Sequence, residues 1–341
     1  MTVIAPRIGA LPPGPRDAIT DVAGVTVGHH TLADGDVQTG VTVIRPHAGD
    51  PFSDRVPAAA VVLNGFGKSI GLVQVAELGV LETPVALTNT FAVAAVAQAQ
   101  ILQCIRANPE TGRTLPTVNP LVFECNDGYL NDIQRMAVTE AHYLAAYDAA
   151  GADVAQGSVG AGRGMSSFGL KGGIGTASRR VAVAGHREFT VGVLVQSNFG
   201  LLPQLTVAGE PVGLRIARKL SAPPAPPEQG SIILVVATDA PLDARQLRRL
   251  ALRAGAGLAR TGSVFGHGSG DIALAFSTAY TVPQDTARPM PAVAMLHDRL
   301  TDGLFQAVAD ASEQAILHAL FHAESVTGRD GHRRDALSGL L

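Results

Sequence analysis

"PEQGSIILVVATDAP", residues 227 to 241, contains the segment that decides the fold. Residues 232 to 236 form a continuous run of Ile, Leu and Val, which predicts a strand buried on both faces. The stretch before it, "SAPPAPPEQG" (221–230), is too rich in proline for regular structure. Ser231 therefore stands where a long loop becomes a core strand. Either this serine simply opens the strand, or the chain is cut before it and leaves a reactive residue at a new N-terminus.

Strand-like and helix-like segments are mixed through the whole chain of 341 residues. Apolar and amphipathic stretches predict helices at 90–108, 129–150, 241–255 and 300–325. The proline-rich loop is the strongest linker candidate, but the buried strand after it cannot easily begin an independent domain. We therefore expect a single layered α/β domain spanning 1–341. Its strands are predicted at 24–31, 40–46, 58–65, 83–90, 180–185, 189–198, 230–239 and 271–280.

Composition argues against several classes of function. Hydrophobic residues make up 46% of the chain and charged residues 16%, which predicts a large core. A net charge of −3 offers no polybasic surface for nucleic acid. Two cysteines, Cys104 and Cys125, are too few for a disulfide framework, and the scattered histidines form no metal-binding pattern. We find neither a signal peptide nor a clear membrane span, so we expect a cytoplasmic protein. We also expect no metal and no organic cofactor.

Two polar clusters could carry chemistry. In "TGSVFGHGSGDIALAFSTAY" (261–280), His267, Ser269 and Asp271 precede an apolar strand. A serine and a carboxylate two residues apart can orient and polarise another group, although such an aspartate can also cap loop amides. In "FECNDGYLND" (123–132), Tyr129 could donate a hydrogen bond to developing charge, or the polar residues could serve as helix N-caps.

Three further stretches are ambiguous on their own. The glycine-rich "GSVGAGRGMSSFGLKGGIGTASRR" (157–180) could bind an anion through backbone N–H groups, or could be closely packed backbone. It matches neither a Walker loop nor a dinucleotide fingerprint. Asn198 ends one predicted strand, and Asn64 and Lys68 lie at and beyond the end of another. Each of these side chains could face a cleft.

Taken in order, these segments resemble the L-aminopeptidase/D-esterase and β-aminopeptidase (DmpA-like) family. The resemblance covers nearly the whole chain and includes "ITDVAGVTVGHHT", "ECNDGYLND", "GSVGAGRGM", "VQSNFG", "GSIILVVATDAPL" and "GHGSGDIALAFSTA". It implies a four-layer αββα sandwich, as in N-terminal nucleophile hydrolases. It also implies an inactive precursor that cuts itself before a serine, here at Gly230–Ser231, into an α chain of 1–230 and a β chain of 231–341.

The resemblance also implies roles for individual residues. Ser231 is the nucleophile, and its freed α-amine, with a reference pKa of about 8, serves as the base. Ser269 and Asp271 support the nucleophile, Asn198 contributes to the oxyanion hole, and Tyr129 lies near the scissile carbonyl. The predicted substrate-binding residues are Asn64, Lys68, Glu124 and Gly268.

We therefore expect a serine aminopeptidase or amidase acting on small peptides and on amino-acid amides or esters. Family membership implies a homo-oligomer, expected to be a tetramer of αβ units. The alternatives are an acyltransferase or oligoamide endo-hydrolase of the same fold, or an unprocessed binding protein without activity. Two residues depart from the family pattern, Lys68 where an acid is common and Arg163 where a small polar residue is common, and both bear on substrate preference.

Overall fold

The computed structural model describes residues 4–183, 187–220 and 230–341. The predicted proline-rich loop, apart from Gly230, and the end of the strand predicted at 180–185 lie outside these ranges.

The strands of the described chain form two main sheets and two small hairpins. Fifteen strands are defined: β1 (Thr26–Asp34), β2 (Val37–Arg45), β3 (Asp54–Gly65), β4 (Val80–Leu81), β5 (Val85–Asn89), β6 (Val122–Cys125), β7 (Ser166–Ser167), β8 (Leu170–Lys171), β9 (Gly173–Ala182), β10 (Glu188–Asn198), β11 (Ser231–Thr238), β12 (Gly270–Ser277), β13 (Val282–Pro283), β14 (Val326–Thr327) and β15 (Arg333–Arg334).

Six α-helices complete the described fold. They are α1 (Leu72–Leu78), α2 (Val93–Ala107), α3 (Glu140–Asp148), α4 (Val212–Lys219), α5 (Ala244–Arg260) and α6 (Asp302–Phe321).

Four layers are stacked in the order helix, sheet, sheet, helix. The smaller sheet has the strand order β1-β2-β5-β6 and is covered by α2 and α3. The larger sheet has the order β13-β3-β12-β11-β10-β9, with β4 also paired to β3, and is covered by α5 and α6. Separate apolar clusters fill the spaces between successive layers. The predicted αββα sandwich is confirmed.

Strand β11 lies in the middle of the larger sheet and explains the continuous apolar run of the sequence. Ile232, Leu234 and Val236 pack toward α5 and α6, whereas Ile233 and Val235 pack toward the smaller sheet. All five side chains are fully buried. Burial of both faces, at roughly 25 cal/mol per Å² of apolar area, holds this strand firmly at the centre of the molecule.

Helix α5 follows from local signals in its sequence. The Asp243 side chain accepts a hydrogen bond of 2.7 Å from the backbone N–H of Gln246, so it satisfies one free donor of the first turn. Leu247, Leu250 and Ala254 form the predicted apolar face and are fully buried against the larger sheet. Gly262, with a φ of 104°, turns the chain just after the helix.

The glycine-rich segment 157–180 is packed backbone rather than an anion site. Its N–H groups bond to the protein itself, as when Gly157 N donates to Ile174 O at 2.7 Å. Its second half forms strand β9, which the sequence did not predict to begin at Gly173. A side chain at Gly175 would lie 1.9 Å from Ala315 O of α6, so glycine permits the close approach of helix and strand.

The helix predicted at 129–150 is wrong in its first half, because α3 begins only at Glu140. Residues before it bond to strand β2 and its turn instead. Asn131 Oδ1 accepts from Gln38 N at 3.1 Å, and Asp132 N donates to Asp36 O at 2.8 Å. Tertiary hydrogen bonds here replace the intrahelical ones that the pattern predicted.

The segment Thr90–Ala107, which contains α2, is long and apolar enough to cross a membrane by length and composition, with a mean hydropathy of 1.2. Core helices of globular domains pass the same test. Val93, Val96 and Ala97 of this helix pack against the smaller sheet. The segment is thus an outer layer of the sandwich.

Candidate active site

Ser231 is the first residue of β11 and lies between two neighbouring strands. It pairs with Asn198 of β10 on one side and with Gly270 of β12 on the other. The residue is only 4% exposed. Its Oγ donates to Gly230 O at 2.6 Å and accepts from Gly270 N at 3.3 Å. The sheet therefore fixes both the hydroxyl and the peptide bond that precedes it.

Gly230 occupies a position where no side chain fits. A Cβ there would lie 2.4 Å from Asn198 O and 2.8 Å from Phe199 Cα. The Gly230 carbonyl oxygen also accepts a hydrogen bond of 3.2 Å from Gly270 N. One backbone N–H thus faces both the carbonyl oxygen and the hydroxyl of the predicted cleavage site.

Ser269 and Asp271 form a buried pair beside the nucleophile strand. Ser269 Oγ donates to Asp271 Oδ1 at 2.5 Å, and the two residues are 1% and 0% exposed. A hydrogen bond this short between two buried groups fixes the orientation of both side chains. Gly270 lies between them in sequence, and its backbone N–H contacts the Ser231 hydroxyl.

Both polar atoms of the Asn198 side-chain amide form hydrogen bonds. Its Oδ1 accepts from Ser166 N at 2.8 Å, and its Nδ2 donates to Asn126 O at 3.0 Å. An amide nitrogen carries two hydrogens, so one remains to reach a further acceptor. Asn198 therefore has a hydrogen with which it could donate to an oxyanion, as predicted.

Lys171 supports the loop that orients Asn198. It is fully buried, and its Nζ donates to the carbonyl oxygens of Gly162, Met165 and Gly172 at 2.8 to 2.9 Å. Burial holds the pKa of this ammonium well below its usual value. Sequence reasoning did not identify this residue, although a lysine inside a glycine-rich segment is a weak signal of such a contact.

An open cleft of about 690 Å³ leads to Ser231. Of the predicted site residues, Ser231, Gly230, Lys68, Glu124 and Gly268 line it. The other lining residues are Phe66, Thr90, Asn126, Leu201, Gln204, Val264, Gly266 and His267. Thr90 and Gln204 were not anticipated from the sequence, because each belongs to a segment that only the fold brings to the cleft.

Glu124 is a buried carboxylate in the wall of the cleft, with 2% exposure. It accepts a hydrogen bond of 2.8 Å from Lys68 N and a short one from Thr90 Oγ1. Lys68 extends its ammonium over the ring of Phe66, with Nζ 4.3 Å from the ring centroid. The structure brings both predicted binding residues to the cleft.

Asn64 and Tyr129 lie outside the described lining, as do Asn198, Ser269 and Asp271. Asn64 Nδ2 donates to Gly266 O at 2.9 Å and also to Ser269 O, so its side chain holds the turn that precedes the serine–aspartate pair. The Tyr129 ring stacks on His332, with centroids 4.6 Å apart, and packs 3.5 Å from the Arg334 guanidinium carbon. Their predicted contacts with substrate stay predictions. Arg163, which also departs from the family pattern, donates a hydrogen bond of 2.7 Å from its Nε to Gln38 Oε1.

Comparison with known proteins agrees with this geometry. The profile of Peptidase family S58 matches residues 17–334. The beta-peptidyl aminopeptidase BapA of Sphingosinicella xenopeptidilytica is 40% identical over 93% of this chain and 83% of its own length.

Solved structures show the same architecture. A beta-aminopeptidase from Burkholderia sp. superimposes with a TM-score of 0.89 at 44% identity, covering 97% of this chain and 93% of its own. The L-aminopeptidase D-Ala-esterase/amidase from Ochrobactrum anthropi, described as a variant of the Ntn hydrolase fold, gives a TM-score of 0.89 at 36% identity, covering 98% and 93%. With the profile match over nearly its full length, this chain belongs to peptidase family S58.

Proposed function

We propose that this chain is an autoprocessed N-terminal serine aminopeptidase or amidase that works through a Ser231 acyl-enzyme. The observation that carries the proposal is the position of Gly270 N. It lies 3.2 Å from Gly230 O and 3.3 Å from Ser231 Oγ, at the head of a central strand. A donor so placed can stabilise negative charge on the carbonyl oxygen when the neighbouring hydroxyl attacks.

Self-cleavage proceeds by an N→O acyl shift. Ser231 Oγ attacks the Gly230 carbonyl carbon, and the oxyanion forms beside Gly270 N. The bond between Gly230 C and Ser231 N then breaks, and the departing nitrogen takes up the proton that the hydroxyl lost. Water hydrolyses the resulting ester, which leaves a carboxylate on Gly230 and a free hydroxyl and amine on Ser231.

Turnover uses the same atoms. The new α-amine has a reference pKa of about 8, so a useful fraction is neutral and can accept the hydroxyl proton. The substrate carbonyl is attacked by Ser231 Oγ, and its oxyanion is stabilised by the remaining Asn198 Nδ2 hydrogen. Ser269 and Asp271 fix the geometry around Ser231 and supply negative charge near it. The leaving amine takes up the proton held by the Ser231 α-amine as it departs. Water then hydrolyses the acyl-enzyme ester.

Glu124 is our candidate for binding the substrate's free amine. It is the one carboxylate among the described residues that line the cleft. An ammonium ion would complete its hydrogen bonding in a site that burial makes electrostatically strong. This selects substrates with a free N-terminal amine, which agrees with the aminopeptidase names of the similar proteins.

Intact-mass analysis with N-terminal sequencing tests the proposal. The wild-type protein should consist of fragments 1–230 and 231–341, the small one beginning at Ser231. Ser231→Ala should remain one uncut, inactive chain, whereas Ser338→Ala, an exposed serine near the C-terminus, should be processed normally. Aminoacyl p-nitroanilides then report turnover. An active enzyme that remains uncut, or a small fragment beginning elsewhere, contradicts the proposal.

We also propose a cytoplasmic homo-oligomer of αβ units, with a tetramer as the expected form. The proposal rests on the family resemblance. Light scattering coupled to size-exclusion chromatography measures the mass directly. A mass of one αβ unit would refute the assembly.

A further inference from the structure

The cleft carries one fixed charge of each sign. Among its described lining residues, Glu124 supplies the carboxylate and Lys68 the permanent cation. The two do not pair with each other. Glu124 accepts from the backbone N–H of Lys68, while none of the ion pairs among the described residues involves the Lys68 ammonium.

The Lys68 ammonium is held on an aromatic surface inside this cleft. It lies 4.3 Å from the centroid of Phe66, whose ring is 55% exposed and packs 6.2 Å from His267. A cation over such a ring gains only about 0.5–1 kcal/mol, so it keeps most of its capacity to bind an anion. This contact leaves the ammonium available to an anionic ligand in the cleft.

This loop is directly connected to the reactive serine. Phe66 N donates to Ser269 O at 3.3 Å, and Gly67 Cα lies 3.0 Å from the Cβ position of Gly270. Gly270 in turn contacts Ser231 Oγ. Lys68 therefore follows a loop that is bonded to the turn beside the nucleophile, and Lys68 and Ser231 line the same cleft.

We propose that Lys68 binds the carboxylate of the residue on the leaving-group side of the scissile bond, so that the enzyme prefers zwitterionic dipeptides to the corresponding dipeptide amides. The assignment rests on the proposed aminopeptidase function, in which Glu124 binds the ammonium group. A dipeptide presents one charge of each sign, and so does the cleft. Lys68 thus determines specificity for the leaving group, without touching the reacting atoms.

The test compares three substrates that share one acyl residue X, chosen as the best aminoacyl p-nitroanilide. These are X-Ala, X-Ala amide and X p-nitroanilide. The readout is the ratio of kcat/KM for X-Ala to that for X-Ala amide, in which the concentration of active enzyme cancels. Lys68→Met, which keeps the apolar stem, should lower this ratio about tenfold. Lys68→Glu should lower it further, and 0.5 M salt should lower it in the wild type only.

Lys219→Met is the matched control. Lys219 is exposed at the end of α4 and does not line the cleft, so its substitution should leave the ratio as in the wild type. An unchanged ratio in both Lys68 variants, with all three substrates hydrolysed, overturns the assignment of Lys68 alone. If the processed wild-type enzyme hydrolyses none of the three, the proposed function fails, and this inference fails with it.

Discussion

Ser269 donates a 2.5 Å hydrogen bond to the Asp271 carboxylate, and the two buried residues flank the glycine whose N–H contacts Ser231 Oγ. Buried polar groups are stable only where hydrogen bonds satisfy them. We propose that the pair both supports the strand end and acts electrostatically on the nucleophile. The two contributions can be separated by substitution.

Asp271→Asn keeps the shape of the side chain and removes its charge. We expect kcat of the processed enzyme to fall by about 10²-fold, because the proton transfers at Ser231 lose the nearby negative charge. Processing is expected to slow as well, so activity is measured on the cut fraction alone. Full specific activity in that fraction would remove Asp271 from the mechanism.

Gly230→Ala should slow self-cleavage by about 10²-fold. The added methyl group would lie 2.4 Å from Asn198 O, and relief of that clash would move the carbonyl away from Ser231 Oγ and Gly270 N. The rate is read from the disappearance of the full-length band over time. Gly339→Ala, where a Cβ meets no atom within 4 Å, should be processed at the wild-type rate. Equal cleavage rates in both variants would refute the steric argument.

Asn198→Ala tests the oxyanion hole. Removing one donor from such a site typically lowers kcat by about 10²–10³-fold with little change in KM, because the contact forms in the transition state. Steady-state kinetics on the processed enzyme give both values. A loss confined to KM would mean that Asn198 binds the substrate and does not stabilise the transition state.

Lys171→Met should destabilise the fold and loosen the loop that orients Asn198. Three buried carbonyl groups lose their donor, at about 1–3 kcal/mol each where no other partner replaces it. We expect a loss of about 3 kcal/mol or more in the free energy of unfolding, measured by urea denaturation. Lys219→Met, the same change at an exposed site, should stay within about 0.5 kcal/mol of the wild type. A similarly small effect at Lys171 would show that its contacts are dispensable.

Asp127 should make stability depend on pH. Burial raises the pKa of its carboxyl group from 3.8 to about 7 in the folded protein. Between these values the folded state keeps a proton that the unfolded chain has released, so the contribution of Asp127 to stability falls as pH rises from about 4 to 7 and then levels.

Asp127→Asn should remove this contribution. Between pH 5 and pH 8, the free energy of unfolding of the wild type should fall by more than about 1 kcal/mol relative to that of the variant. Urea denaturation at both pH values measures the difference. Parallel pH profiles for the two proteins would show that Asp127 does not titrate in this window.

The sequence predicted the elements whose signals are local. The run Ile232 to Val236 required a strand buried on both faces, and it lies between two apolar clusters. The apolar face of Leu247, Leu250 and Ala254 predicted α5, but the predicted stop at Gly255 was wrong, because the helix continues to Arg260. The ordered motifs indicated the family, and hence the αββα layers, before any contact was known.

Other features depend on residues far apart in the chain. The sequence did not predict the start of β9 at Gly173, because the glycines there serve the approach of α6 and not a turn. It predicted a helix from 129 where Asn131 bonds to the distant Gln38. The convergence of Thr90, Glu124 and Lys68 on one cleft was equally beyond local reasoning.

By itself, therefore, the sequence determined the central strand and the serine at its head, because hydrophobic pattern acts within a few residues. The order of layers followed only from the resemblance to a known family. Only the tertiary structure decided that Gly270 N faces both Gly230 O and Ser231 Oγ, that Lys171 holds the loop behind Asn198, and that the Lys68 ammonium lies over Phe66. These relationships are distances of about 3–4 Å between segments far apart in sequence, and such distances are fixed only when the sheets and helices pack together.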